Sequence, residues 1–457
     1  MSGDRDISRE VLEKWDDEYV WHPFTPHSIY REEEPLTVVA GKGHYLIDAD
    51  GERFFDGVGS IWCNIFGHQR EEIDAAVREQ LQHIAHSTLL GNTNDRPVIL
   101  AKRLVELAPE GLKKVFYSDN GSTSVEIALK MALQFWQQEA GGDGRKRTKF
   151  MGLANAYNGD TVGAVSVGGI DLFHSRFGPL LFETVRGPSP EIYHRSEEKS
   201  REQAEREFVE NFDRVFDQHA SELAAVIIEP GMQGAGGMIT YPDGFLRHAR
   251  EKTRDSDVLL ILDEVAMGMG RSGEMFASQR EGVNPDFLCI AKGLTGGYIP
   301  VAATLTTDRV YEAFLGPAEE GRTFFHGHTF TGNALGCAAA LATLDIFEKD
   351  DILAEVRRKS DVLRKYLTPL QADENVGDIR QYGLAVGIEL VEDKEKRKSF
   401  DGAKRIGMKV CRAARDRGVF LRPLGDVIVL MPPLSITDEE IELLVDAVKF
   451  GIKEVLQ

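Results

Sequence analysis

The sequence predicts an α/β fold: a large domain built on a mostly parallel sheet covered by helices, and a smaller α+β domain assembled from both ends of the chain. Three observations point there. Between about residues 75 and 320, short apolar runs alternate with helical stretches, as a chain must when each crossover returns the next strand in the same direction. Those runs are apolar at nearly every position, which suits strands covered on both faces. Beyond residue 345 the texture changes to helix, strand, helix, two further strands and a final helix. With 457 residues, 42% of them hydrophobic, the chain can bury two cores. The expected boundaries are 1–74 for the amino-terminal part of the small domain, 75–330 for the large domain, and 331–457 for a connecting helix and the rest of the small domain.

In chain order, TVVAGKGHYLIDADG (37–51) and RFFDGVG (53–59) read as strands, with Asp50-Gly51 between apolar runs as a hairpin turn. The large domain contributes KVFYSD (114–119), KFMGLA (149–154), AAVIIEP (224–230), VLLILDE (258–264), FLCIAK (287–292) and VAATLTT (301–307). After the first of these, a turn at Gly121 opens a helix whose apolar residues Val125, Ala128, Leu129, Ala132, Leu133 and Trp136 keep helical spacing, with Thr123 and Glu126 as a capping box. The charged segment 196–212 reads as a solvated surface helix. GLAVGIELV (383–391) and the strands within 419–433 complete the small domain, and Thr437 with Glu440 caps the last helix.

Composition narrows the function. Lys and Arg total 54 against 74 Asp and Glu, a formal charge of -20 that repels polyanions, so no nucleic-acid partner is expected. The amino terminus is charged where a secretory signal is apolar, and no run approaches membrane-spanning length, so a cytoplasmic protein is expected. Cys63, Cys289, Cys337 and Cys411 stand singly, as reduced side chains do. His326 and His328 could chelate from one face of a strand but lack a third ligand, and no metal is expected.

Chemistry concentrates where strands end, the place where α/β sheets bind ligands. Lys292 closes an apolar strand and precedes a glycine-rich loop; a partly desolvated amine there is a nucleophile for aldehydes. Asp263 ends the preceding strand and suits a protonated pyridine nitrogen. Gly121, Ser122 and Thr123 offer first-turn amides to a phosphate. Tyr157 supplies an aromatic face. Together they describe a seat for pyridoxal 5'-phosphate.

The stretches SDNGSTSVE, AYNGDTVGAVSVG, IIEPGMQGAGGM, LLILDEVAMGMGRSG, IAKGLTGGYIPVAATLTT, FFHGHTFTGN and LRPLG, in that order from about Trp21 onward, resemble the class III aminotransferases of the fold type I pyridoxal phosphate enzymes. The resemblance implies that Lys292 forms the imine link to the cofactor, that Asp263 binds the ring nitrogen and that Tyr157 covers the ring. It implies that Gly121 and Ser122 hold the phosphate, with His328 and Thr329 reaching over from the partner in a homodimer. Arg422 matches the arginine that receives a substrate carboxylate, and Phe24, Ile61, Trp62 and Gly327 match the channel taking a small-molecule amino donor and an oxo acceptor. Five features depart from the family pattern: Phe24 stands where some relatives have tyrosine, Ile61 where some have a second tryptophan, Asn158 where histidine is usual, Met267 and Met269 in place of TGF, and Val429 where some have tyrosine.

Overall fold

The computed structural model describes residues 7–138, 146–194 and 199–457; the first six residues of the expected charged terminus and residues 196–198 of the charged segment lie outside the described residues. After a helix at Arg9–Tyr19 comes an antiparallel ladder of β1 (Val38–Lys42), β2 (Tyr45–Asp48) and β3 (Arg53–Asp56). The turn between the last two falls at Asp50-Gly51, where Gly51 takes a φ of 83° that its missing Cβ permits.

The central sheet follows, formed by β4 (Leu112–Ser118), β5 (Lys149–Leu153), β6 (Val185–Gly187) and β7 (Leu223–Ile228). A short ladder of β8 (Met232–Gln233) and β9 (Ile239–Thr240) intervenes before β10 (Leu259–Asp263), β11 (Phe287–Ile290) and β12 (Ala302–Thr307). Its seven strands run in the order β4-β12-β11-β10-β7-β5-β6, and every pairing is parallel except the two made by β12. All six expected strands of this region are present; β6, at three residues, is too short to show as an apolar run.

The period of two along each strand divides the core. Leu259 and Ile261 of β10 pack with Val125, Ala128, Ala132 and Phe135 of the helix Gly121–Gln138 on one face. Leu260 and Leu262 pack with Phe208, Phe212 and Phe245 on the other. Successive side chains therefore face two helical layers alternately, which is why β7, β10 and β11 are buried at every position.

Two local expectations are corrected. The charged segment is not simply solvated: the helix Arg201–His219 buries Ala204, Phe208, Phe212 and Phe216 on one stripe, and the i, i+4 phenylalanines are masked in the sequence by the charges between them. The capping box at Thr123 and Glu126 does not form. Asn120 caps instead, its Oδ1 accepting the Thr123 N–H at 3.1 Å, while Glu126 Oε1 accepts the Gly163 N–H at 2.6 Å and so ties the helix to the next loop.

The carboxyl-terminal part holds β13 (Val376–Tyr382), β14 (Ala385–Leu390), β15 (Val419–Phe420), β16 (Arg422–Leu424) and β17 (Val427–Leu430). Four of them form a sheet in the order β13-β14-β17-β16. β15 leaves it and pairs in parallel with β3, Val419 opposite Phe55, so the two ends of the chain share one sheet. Here too the sequence-expected strands appear, while β13 was not expected because its residues are mostly polar and half-buried.

Candidate active site

The parallel register brings the carboxyl ends of β4, β5, β7, β10 and β11 to one edge of the sheet, around a cavity of about 480 Å³. Asp263 is the last residue of β10, opposite Cys289 of β11, and Lys292 follows three residues later. Glu229 directly follows β7, Tyr157 follows β5, and Gly121 and Ser122 follow β4. Lys292, Asp263, Tyr157, Gly121 and Ser122 all line this cavity. Lys292 holds a φ of 29°, in the left-handed region where a side chain is strained, and its Nζ stands 5.1 Å from the centroid of the Trp62 ring.

Burial sets the charges. It pushes the Lys292 ammonium below its ordinary range, against the pull of Asp263, Glu229 and Cys63. Asp263 is raised to about 7 by burial, opposed by the N–H of Val265, which donates to its Oδ1 at 3.1 Å, and by Lys292. Glu229 is raised to about 8 by burial and by the neighbouring Asp263. The Tyr157 hydroxyl, raised by burial and by Asp160, donates to Asp160 Oδ2 at 2.7 Å. An amine whose neutral form is favoured is a nucleophile, and a buried carboxyl without a full cationic partner is a receptor for one.

Glu229 was not among the expected site residues, although it directly follows an apolar strand much as Asp263 ends one. Its two oxygens accept the N–H of Tyr157 at 2.9 Å and of Gly234 at 3.0 Å, so it joins the two segments that flank the cavity. Asp160 was missed as well, since only the fold brings its backbone N–H to Ser122 Oγ at 3.0 Å.

The lining fits pyridoxal phosphate. The first-turn amides of Gly121 and Ser122 face an anion site that Asn120 leaves open. The walls approach so closely that a Cβ on Gly121 would lie 2.6 Å from Val265 Cγ1 and one on Gly159 2.0 Å from Ser122 Oγ. Asn158, only 4% exposed, lines the cavity with both of its amide atoms lacking a protein partner, a donor and an acceptor available to a polar ligand.

A second cavity of about 980 Å³ shares Trp62, Tyr157, Ala235 and Lys292 with the first, and adds Phe24, Ile61, Phe173, Arg422 and Val429. Arg422 pairs with Val429 in the β16–β17 ladder, and among the described residues its guanidinium has no hydrogen-bond or ion-pair partner, so it is free to take a carboxylate. Four expected residues, Thr123, Gly327, His328 and Thr329, line neither cavity. The Thr123 N–H and hydroxyl are both bound to Asn120, and Gly327 and Thr329 are exposed and line neither cavity. His328 Nδ1 lies 2.7 Å from Asp119, which borders the smaller cavity, and His326 Nδ1 lies 2.9 Å from Lys130 Nζ.

Comparison with known proteins agrees with this geometry. The family described as aminotransferase class-III matches residues 29–451. An adenosylmethionine-8-amino-7-oxononanoate aminotransferase of Geobacter sulfurreducens is 51% identical over 451 residues, which cover 98% of this chain and 99% of that one. The crystal structure of the enzyme of that name from Methanocaldococcus jannaschii superposes with a TM-score of 0.93 at 46% identity, covering 98% of this chain and 100% of the other. An amine transaminase from an uncultivated Pseudomonas species, solved in its PLP-bound form, superposes with a TM-score of 0.90 at 36% identity over 96% of this chain and 99% of its own.

Proposed function

The chain belongs to the class III aminotransferases, and from that premise we propose that it moves an amino group from S-adenosylmethionine or lysine to 8-amino-7-oxononanoate, giving 7,8-diaminononanoate for biotin synthesis, with pyridoxal 5'-phosphate seated in the smaller cavity. The observation that carries the reading is the meeting of Lys292 and Asp263 in one cavity that shares its walls with a second, largely apolar one lined by the unpaired Arg422. An acceptor with a long methylene chain and a terminal carboxylate matches that combination of apolar walls and one free guanidinium.

Pyridoxal phosphate supplies an aldehyde that condenses with amines and a ring that delocalises the electron pair left when a proton departs. The protein supplies the rest. Lys292 Nζ would hold the aldehyde carbon of the resting cofactor and, as a neutral amine, would serve as the base that moves the proton during transfer. Asp263 would carry the negative charge that keeps a ring nitrogen protonated, and Tyr157 would offer its aromatic face to the ring. Gly121, Ser122 and Asn158 bind the polar groups, while Trp62, Ile61 and Phe24 exclude water and Arg422 orients the carboxylate. Donor and acceptor use the larger cavity in turn. We assign the protein to the cytoplasm as a homodimer in which His328 and Thr329 of one protomer reach the phosphate site of its partner, with domains divided at residues 74 and 330.

The test is spectroscopic. Cofactor-loaded protein is mixed separately with S-adenosylmethionine, lysine, 4-aminobutyrate and taurine, and conversion to the pyridoxamine form is followed by absorbance; 8-amino-7-oxononanoate should then restore the starting spectrum. Failure of that second step removes the biotin assignment. The apolar residues at 24, 61 and 429 favour a second reading, an ω-aminotransferase for a diamine, taurine or 4-aminobutyrate with a 2-oxo acid acceptor; restoration by a 2-oxo acid alone would establish it.

A further inference from the structure

Between β3 and the first long helix, the backbone does something that L-residues avoid. Gly59, Ser60, Ile61 and Trp62 hold φ values of 49°, 47°, 65° and 73°, a complete left-handed turn of which three residues carry side chains. Ile61 is β-branched, the side-chain type that tolerates this region least. A short sequence such as SIWC gives the turn no intrinsic support, so its surroundings hold it wound.

Those surroundings are specific. Asp56, the last residue of β3 and fully buried, accepts the Ser60 hydroxyl at 2.7 Å through Oδ2. The same oxygen faces His68 Nε2 at 3.6 Å, and His68 Nδ1 is itself 2.9 Å from Asn64 Nδ2. The backbone closes the turn with Trp62 N–H to Val58 O at 2.8 Å and Cys63 N–H to Gly59 O at 3.0 Å. A Cβ on Gly59 would lie 2.9 Å from Asn64 O and 3.0 Å from Met431 O, so the turn is pressed against both the following segment and the end of β17.

What the turn presents is Trp62. Its ring packs so close to Gly234 that a Cβ there would lie 2.9 Å from the ring edge, and Gly234 in turn donates its N–H to Glu229. Lys292 Nζ lies over the ring, and the indole borders both cavities. The indole is therefore a wall common to both cavities, with the reacting amine against its face.

We propose that Asp56 and Ser60 are positioning residues that lock this strained turn, and that through it they fix Trp62 as a wall common to the two cavities and so set how substrate is seated beside Lys292. The role rests on the reading of the larger cavity as the substrate site. It is independent of which amine donor is used.

The experiment compares two substitutions that remove the same hydroxyl. In Ser60→Ala the backbone keeps its left-handed penalty and loses its lock; in Ser60→Gly the lock is lost but glycine adopts the conformation freely. Cofactor-loaded protein is examined for acceptor KM and kcat separately, and for the Trp62 component of tryptophan emission, identified as the difference from Trp62→Phe. Expected is a KM about tenfold higher and a changed Trp62 emission in Ser60→Ala, the loss of one hydrogen bond to a charged group. Ser60→Gly should stay near the parent in both, and cofactor absorbance should hold in each. If alanine and glycine behave alike, or if alanine lowers only the melting temperature while KM and emission stay unchanged, the lock is refuted. Should 8-amino-7-oxononanoate prove not to be a substrate at all, the functional reading fails, but the emission arm still decides the lock.

Discussion

At Lys292 one side chain concentrates the chemistry, and its replacement gives the sharpest expectation. Lys292→Ala should lose the visible absorbance of the cofactor-bound lysine, and turnover should drop by about 10² to 10⁴ or more, since both the covalent anchor and the proton carrier go together. Arg422→Ala should raise the acceptor KM by about 10- to 100-fold with little change in kcat, as removal of a charge-assisted bond made equally in ground and transition states requires. Asp263 makes a pH prediction. Burial raises its carboxyl from 3.8 to about 7, so the folded chain holds that proton more tightly than the unfolded one. The associated stability is fully present below about pH 4 and is lost as pH rises toward 7. Cofactor-free Asp263→Asn should therefore melt higher than the parent at pH 8 and no differently at pH 4, by calorimetry at the two pH values. Lys292 and Asp263 were legible as strand-end residues in a strongly periodic region. Glu229 was not, because its role lies in two backbone bonds, which leave no mark on side-chain type.

Among the elements, the helix Gly121–Gln138 shows how a cap and a binding site share one turn. Asn120 spends its side chain on the Thr123 N–H, and the amides before it stay available. Asn120→Ala should cost about 1 kcal/mol of stability, and cofactor affinity should weaken alongside, measured by titrating stripped protein with pyridoxal phosphate and following absorbance. The left-handed turn Gly59–Trp62 is the counterpart in a strand-to-helix connection, where three non-glycine residues store about 1–2 kcal/mol each. Nothing in SIWC announces it, since sequence pattern reports what a backbone prefers and this one is held against its preference. The antiparallel placement of β12 is hidden for a related reason: AATLTT is buried at five of its six positions, much like its parallel neighbours, and hydrogen-bond direction leaves no trace in side-chain pattern.

Across the whole molecule, the central sheet was legible because continuous apolar strands and alternating helices are demanded by a sheet covered on both faces. The union of the two chain ends was legible only as an expectation of shared strands; the partner of β3 turned out to be the two-residue β15, too short to read. That union matters to the site. The larger cavity takes Phe24, Ile61 and Trp62 from the beginning of the chain and Arg422 and Val429 from its end, with backbone bonds from Met431 N–H to Gly57 O and from Leu434 N–H to Ile65 O holding the two together. The pairing of β3 with β15 also orders events on the ribosome. Every residue lining the smaller cavity lies before residue 302, whereas Val419 must emerge before β3 has its neighbour. A chain in translation thus carries every lining residue of the smaller cavity for roughly ten seconds before the wall bearing Arg422 exists, so on the proposed reading its own share of the vitamin's seat is made ahead of the substrate chamber.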